Sequence, residues 1–205
     1  GWNVVVRDPQ MVPVLISQHF METIIDQQPW FHEIRKNPYW YGIMIAWNNI
    51  MVAVKCFTLG ALLGIGGLLI LCFNGVFFGA IMGYCYVNGF HDELTNFVIG
   101  HGPLELTIIV ASAFASMLYG RAFFMRPLRE FPKRFAQGAR EAAVVIVGVL
   151  PWLVLAACLE VFVSPFNYLG FKAKLLLGCL CTLAFWFWTF WPQRSESDTS
   201  IHKSA

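Results

Sequence analysis

Four long stretches of the chain contain no charged residue, and they predict helices that cross a membrane. No Asp, Glu, Lys or Arg occurs in residues 57–90, 106–120, 142–159 and 175–193 of the 205-residue sequence. Because a spanning helix needs about 20 mostly apolar residues, the first stretch is long enough for two helices and each of the others for one. We therefore predict an all-α fold, a polytopic transmembrane bundle of five spanning helices.

The first charge-free stretch contains the dipeptide Asn74-Gly75, which is typical of turns and predicts the turn between the first two spans. The second span would then be about 22 Å long, which is short for a hydrocarbon core of about 30 Å. Pro151 is expected to kink the fourth span. The predicted spans cover residues 48–72, 76–90, 103–125, 142–163 and 174–191.

The beginning of the chain differs from the rest, because apolar and polar positions there follow helical spacing without forming a long apolar run. Trp and Tyr concentrate in residues 30–41, as they do where a chain meets the lipid headgroups. We predict an extracytoplasmic or interfacial amphipathic segment at 1–45, a transmembrane domain at 46–192 and a polar cytoplasmic tail at 193–205. Gly1 is not followed by a signal peptide, so we expect one more span upstream of it.

Composition and charge narrow the class of protein further. The chain is 58% hydrophobic and 13% charged, with a mean hydropathy of +0.60, whereas soluble domains have about 25% charged residues. A net charge of +2 is far from the basic character of nucleic-acid-binding proteins, so we expect a lipid bilayer and no nucleic acid as partner.

The distribution of basic residues predicts the orientation in the membrane. Residues 121–140 contain six of the 14 Lys and Arg residues and one acidic residue, and such a loop stays in the cytoplasm. In the cell inner (plasma) membrane, this orientation leaves residues 1–45 outside and the C-terminal tail in the cytoplasm. Arg35, Lys36 and Lys55 oppose it.

Small residues recur at a spacing of four in the first two predicted spans. Such spacing lets helix backbones approach closely in lipid. We interpret it as packing between these two spans, with an interface of a homo-oligomer as the alternative. The residues are Gly60 and Gly64, followed by Gly75, Gly79 and Gly83.

Five polar residues in or beside the spans form a predicted intramembrane polar cluster: Asn49, Lys55, His101, Glu105 and Glu160. Glu105 would be the third helical residue after a cap at Gly102, where a carboxylate can accept from free backbone N–H groups. Glu160 would lie near a helix C-terminus, which disfavours an anion, so it needs a partner. Lys55 has the right charge and, if the first span begins near residue 48, a similar depth.

Catalytic, metal and cofactor signatures are weak, and we expect a protein that is not an enzyme and has no metal or cofactor. His101 and Glu105 are four apart, as zinc ligands can be, but a helix that starts at Pro103 would leave His101 outside it. The six cysteines lie in or beside apolar segments and resemble small hydrophobic residues more than a disulfide framework.

Five short motifs resemble the stage II sporulation protein M family. They are Asn48-Asn49, Phe57-x-x-Gly60-x-x-x-Gly64, Asn74-Gly75-x-x-x-Gly79, His101-Gly102-x-x-Glu105-Leu106 and Glu160-x-Phe162-x-Ser164-Pro165. The resemblance implies a membrane protein of the cell envelope. The small founding members act in forespore engulfment with peptidoglycan-degrading partners, and longer relatives often occur beside MoxR-type ATPases. The chain departs from the family in its third span, where alanines and serines at residues 111–116 replace a glycine-rich run.

Two functions remain open. The first is a non-enzymatic membrane scaffold or assembly protein of a bacterial or archaeal cell-envelope complex, with other membrane or envelope proteins, a MoxR-type ATPase system or a second copy as partners. The alternative is a transporter or channel with a proton or ion path through Lys55, His101, Glu105 and Glu160, near a broken helix at the Asn74-Gly75 turn. A cavity that crosses the membrane would favour transport, and a sealed cluster would favour a scaffold.

Overall fold

Residues 1–26 and 31–191 are described in a computed structural model, and this part of the chain contains helices and no strand. Four short helices come first: α1 (Trp2–Arg7), α2 (Val12–Leu15), α3 (Gln18–Ile25) and α4 (Phe31–Lys36). They are followed by α5 (Pro38–Leu59), α6 (Gly66–Val87), α7 (His91–Val98), α8 (Gly102–Gly120), α9 (Phe131–Phe162) and α10 (Phe171–Phe190). Within the described ranges, α5, α6, α8, α9 and α10 are long and apolar enough to cross a membrane, which confirms the predicted all-α bundle of five spans.

Successive spans run in opposite directions, so the bundle has two distinct ends. The starts of α5, α8 and α10 lie at one end, which we call the site end. The other end, which we call the basic end, includes the connection from α8 to α9. There Arg121 pairs with Glu141 at 2.9 Å, and Arg134 pairs with Glu130 at 2.6 Å. Part of the predicted basic loop is therefore helical, because α9 begins at Phe131.

The centre of the bundle is α8, which packs against α5, α6, α9 and α10. Its small and apolar side chains are buried along its whole length, as Leu104, Ile108 and Ala115 show. They form the main hydrophobic core with Ala53 of α5, Leu153 and Ala156 of α9 and Phe185 of α10. The helix α9 is 32 residues long and continues through Pro151.

The predicted boundary between the first two spans is wrong by about a dozen residues. α5 already begins at Pro38, and the chain turns between Leu59 and Gly66. The turn forms there because Leu63 and Gly64 adopt the left-handed backbone conformation, with φ of 53° and 78°. The sequence signal at this position was the run of glycines from Gly60 to Gly67, which we interpreted as helix packing and not as a turn.

Asn74 and Gly75 lie in the middle of α6 and do not form the predicted turn. The Asn74 side chain donates a hydrogen bond to the carbonyl of Ile70 at 2.8 Å, which satisfies its amide within the helix. α6 is therefore a continuous helix of 22 residues, about 33 Å at 1.5 Å per residue, and it is not a short or broken span.

The glycine motifs do not join the first two spans to each other. Gly64 meets the end of α8, where a Cβ on it would lie 2.9 Å from the Cα of Gly120. A Cβ on Gly79 would lie 3.2 Å from the backbone nitrogen of Trp2, and a Cβ on Gly83 would lie 3.3 Å from the Trp2 Cα. These two glycines therefore form the surface against which α1 packs. The space around Gly75 is open.

The N-terminal helices pack on the site-end half of the bundle. Val5, Val12 and Ile16 are buried against Ala80 of α6. Ile24 and Ile34 join a second cluster with Phe90, Leu94 and Phe97 around α7. This segment therefore forms one wall at the site end of the bundle. Its position at the headgroup layer stays a prediction.

Candidate functional site

Three residues from two helices meet at the site end of the bundle. His101 directly precedes α8, Glu105 lies in the first turn of α8, and Glu160 lies in the last turn of α9. One imidazole nitrogen and one carboxylate oxygen from each glutamate all lie within 4.8 Å of one another. His101 Nε2 and Glu160 Oε2 are 3.8 Å apart.

The start of α8 explains why His101 and Glu105 share a face. The Glu105 amide donates to the His101 carbonyl at 3.1 Å, which closes the first helical turn. His101 is therefore the cap of α8, and its side chain lies beside that of the residue four positions later. His101 itself lies just outside α8, as expected, although the first helical residue is Gly102 and not Pro103.

A second set of contacts fixes the imidazole from behind. His101 Nδ1 and the Ser164 hydroxyl are 2.8 Å apart, and both side chains are buried. Lys174 of α10 donates to the Ser164 carbonyl at 2.8 Å and to the Asn96 carbonyl at 3.4 Å. The site therefore ties together α7, α8, the end of α9 and α10.

Lys174 is the functional candidate that sequence reasoning missed. Its side chain is fully buried, although the sequence suggested only that a span begins there. The available signal was weak, because a lysine at the start of an apolar helix, here two residues after Lys172, also occurs where a side chain reaches water. Its burial depends on how α10 docks against Ser164, which hydropathy does not reveal.

Lys55 does not belong to the cluster, contrary to the prediction. Its side chain is exposed, and it lies four residues before the end of α5, toward the basic end. The error follows from the misplaced start of this span, because α5 begins ten residues earlier than expected and Lys55 is correspondingly deeper along it. Glu160 therefore faces His101 and Glu105, and among the described residues no lysine forms an ion pair with it.

Asn49, which belongs to the predicted polar cluster, lies beside His101, Glu105 and Glu160. It is 4% exposed, and its side-chain Oδ1 accepts a hydrogen bond from the side-chain Nδ2 of Asn48 at 3.4 Å. The Asn49 amide faces the Glu105 carboxyl, but within the described part of the chain its nitrogen has no hydrogen-bond partner at normal distance. One buried donor is thus available to a further group.

A cavity of about 510 Å³ adjoins the site, and its polar lining includes Asn49, His101, Glu105 and Glu160. Its walls come from α3, α5, α6, α7, α8 and α9, and its apolar lining includes Phe77, Ile81 and Phe97. Met44 and Leu106 also line it and are themselves exposed, so the cavity opens between helices at the surface of the bundle. The arrangement can hold a small ligand or ion against two carboxyl groups and an imidazole.

Comparison with known proteins gives one match. The model of the family described as stage II sporulation protein M matches residues 11–165, which include all the site residues except Lys174. No curated protein and no solved structure matches the chain.

Proposed function

Because the chain belongs to the stage II sporulation protein M family, we propose that it is a non-enzymatic scaffold or assembly protein of a bacterial or archaeal cell-envelope complex. We place it in the plasma membrane with the basic end in the cytoplasm and the site end outside, since short Lys- and Arg-rich connections stay in the cytoplasm. Lys55, which lies toward the basic end, agrees with this orientation.

The observation that carries the scaffold proposal is the closed core beneath the polar site. On each helix, the residue one turn deeper than a site residue is small or apolar and fully buried: Ala53 follows Asn49, Ile108 follows Glu105, and Ala156 precedes Glu160. A path for an ion needs polar groups or space at these positions. Packed apolar side chains therefore occupy the positions directly below the site on α5, α8 and α9, with the buried Ser112 and Ser116 farther along α8.

The continuity of the helices supports the same conclusion. Discontinuous helices that expose backbone groups near the bilayer centre are typical of secondary transporters. Here α6 is continuous where a break was expected, and the turn after α5 is pressed against the end of α8. Such packing suits a rigid platform better than a moving gate.

The proposed partners are other membrane or envelope proteins, including a MoxR-type ATPase system on the cytoplasmic side. The test is affinity purification of the full chain from native membranes in mild detergent, followed by identification of the proteins that elute with it. A scaffold predicts partners at reproducible stoichiometry that survive a second purification step. Elution of the chain alone, or only with further copies of itself, would contradict the proposal.

Transport is a second candidate, and one observation favours it: two carboxyl groups face a cavity inside a membrane-spanning bundle. Ionisable residues at such positions often mark ion pathways. Proteoliposomes with an internal pH dye distinguish the two functions. Proton flux that depends on Glu105 and Glu160, and that is lost in Glu105→Gln and Glu160→Gln variants, would support transport and refute the scaffold.

A further inference from the structure

We propose that His101, Glu105 and Glu160 bind one divalent transition-metal ion, of which Zn²⁺ is the best fit, at the site end of the bundle. One nitrogen and two oxygen donors within 4.8 Å of one another form a mixed ligand set that suits zinc. Bonds to zinc of about 2.0–2.2 Å require the three atoms to move slightly closer together. Small rotations of the two flexible glutamate side chains provide that movement.

The contacts of the imidazole prepare it to bind a metal. When Nδ1–H donates to the Ser164 hydroxyl, 2.8 Å away, Nε2 presents its lone pair toward Glu160. Metal-binding histidines usually have their second nitrogen held in this way, which fixes both the tautomer and the ring orientation. Lys174 in turn holds the Ser164 backbone, so the support extends to a third spanning helix.

The charges of the site also favour a dication. Two carboxyl groups lie largely buried between spanning helices, and no Lys or Arg in the described part of the chain forms an ion pair with either of them. The nearest cation is the buried Lys174, which acts on His101 from behind and donates to backbone carbonyls. Burying a carboxylate without a counter-charge is strongly unfavourable, and one divalent ion balances both groups. The site gains this charge balance at the point where α8 and α9 meet.

Asn49 provides an independent indication of a ligand. Its amide nitrogen is buried and faces the Glu105 carboxyl, but it has no hydrogen-bond partner at normal distance among the described residues. Three protein ligands leave the fourth position of a tetrahedral zinc ion open. A water molecule at that position, on the side of the 510 Å³ cavity, would accept a hydrogen bond from the Asn49 amide.

The proposal is tested on the full chain in mild detergent, treated with a chelator, reloaded with zinc chloride and washed. Wild-type protein should retain about one zinc ion per chain, measured by elemental mass spectrometry. His101→Gln and Glu160→Gln should lose it. Glu93→Gln is the matched control, because Glu93 is an exposed acid at the same end, in α7, and it should retain zinc like the wild type.

Ser164→Ala distinguishes a metal site from a merely structural cluster. It leaves all three ligands in place, and loss of such a supporting contact should weaken zinc binding by about 10–100-fold. Cobalt loading gives a second readout, since Co²⁺ at this site should show the visible absorption of a tetrahedral complex in the wild type and not in His101→Gln.

Three results would overturn the proposal. They are a wild-type protein that retains no zinc, ligand variants that retain as much as the wild type, and a Glu93→Gln variant that loses zinc to the same extent. If His101→Gln does not elute as a folded species in size-exclusion chromatography, Ser164→Ala decides, because unchanged zinc affinity in that variant contradicts the assigned site.

Discussion

Two glycines that share the same spacing motif in the sequence should respond oppositely to alanine. Gly64 lies in the turn after α5 with φ of 78°, and a Cβ there would lie 2.9 Å from the Cα and 3.4 Å from the carbonyl carbon of Gly120. Both obstructing atoms belong to the backbone, so no side chain can rotate out of the way. Gly75 is inside α6, and a Cβ there meets open space.

The magnitudes follow from these surroundings. An L-residue in the left-handed region costs about 1–2 kcal/mol, and overpacking adds about 1–3 kcal/mol. Gly64→Ala should therefore lower the free energy of unfolding by about 2–5 kcal/mol. Gly75→Ala should raise it by about 0.5–1 kcal/mol, because alanine loses less backbone entropy than glycine within a helix.

The assay is reversible unfolding of the purified chain in mixed micelles by titration with SDS, followed by tryptophan fluorescence. Each variant is compared with the wild type in the same preparation. Equal destabilisation by both substitutions would refute the packing described here. A stable monomer with a weakened oligomer in Gly75→Ala would instead assign Gly75 to an interface between copies, the alternative that the sequence left open.

Three further predictions concern the site and the orientation. Lys174→Met should destabilise the chain by about 1–3 kcal/mol in the same SDS titration, because the buried Ser164 carbonyl loses its donor, whereas the exposed Lys172→Met should change stability by no more than about 0.5 kcal/mol. Glu160→Gln should reduce expression and stability far less than Glu160→Ala, since Gln keeps a hydrogen-bonding group beside His101. Lys55→Ala should have no effect on either, and a large loss of stability in that variant would restore the lysine to the cluster. With single cysteines introduced into a cysteine-free version of the protein in intact cells, a membrane-impermeant maleimide should label Glu93→Cys and not Arg129→Cys. The reverse pattern would invert the proposed orientation.

The number of spans could be predicted because charge is excluded from hydrocarbon, so the number and the lengths of the charge-free stretches together give the number of helices. The boundary between α5 and α6 could not, since residues 57–90 contain no charged residue to mark it and the turn at Gly64 depends on its fit against Gly120. Asn74-Gly75 was misleading because an asparagine side chain can satisfy itself within a helix.

The candidate site was partly predictable for a similar reason. His101, Glu105 and Glu160 stand out as polar residues beside apolar runs, and two antiparallel helices bring them to one end. The lysine assigned to them was wrong, because α5 begins ten residues before the predicted start and Lys55 therefore lies toward the basic end. Lys174 takes the buried position through the docking of α10, a tertiary contact with no local sequence signal.

The central claim is that the cavity at the site end is closed toward the basic end, and accessibility of two introduced cysteines tests it most directly. The two cysteines replace Asn48, which lines the cavity, and Ser112, which is fully buried two turns after Glu105 and about 10 Å deeper along α8. In cysteine-free protein in sealed vesicles, a small impermeant thiol reagent should modify Asn48→Cys only from the site end and Ser112→Cys from neither side. Modification of Ser112→Cys from the basic end would show a water path through the bundle and contradict the scaffold.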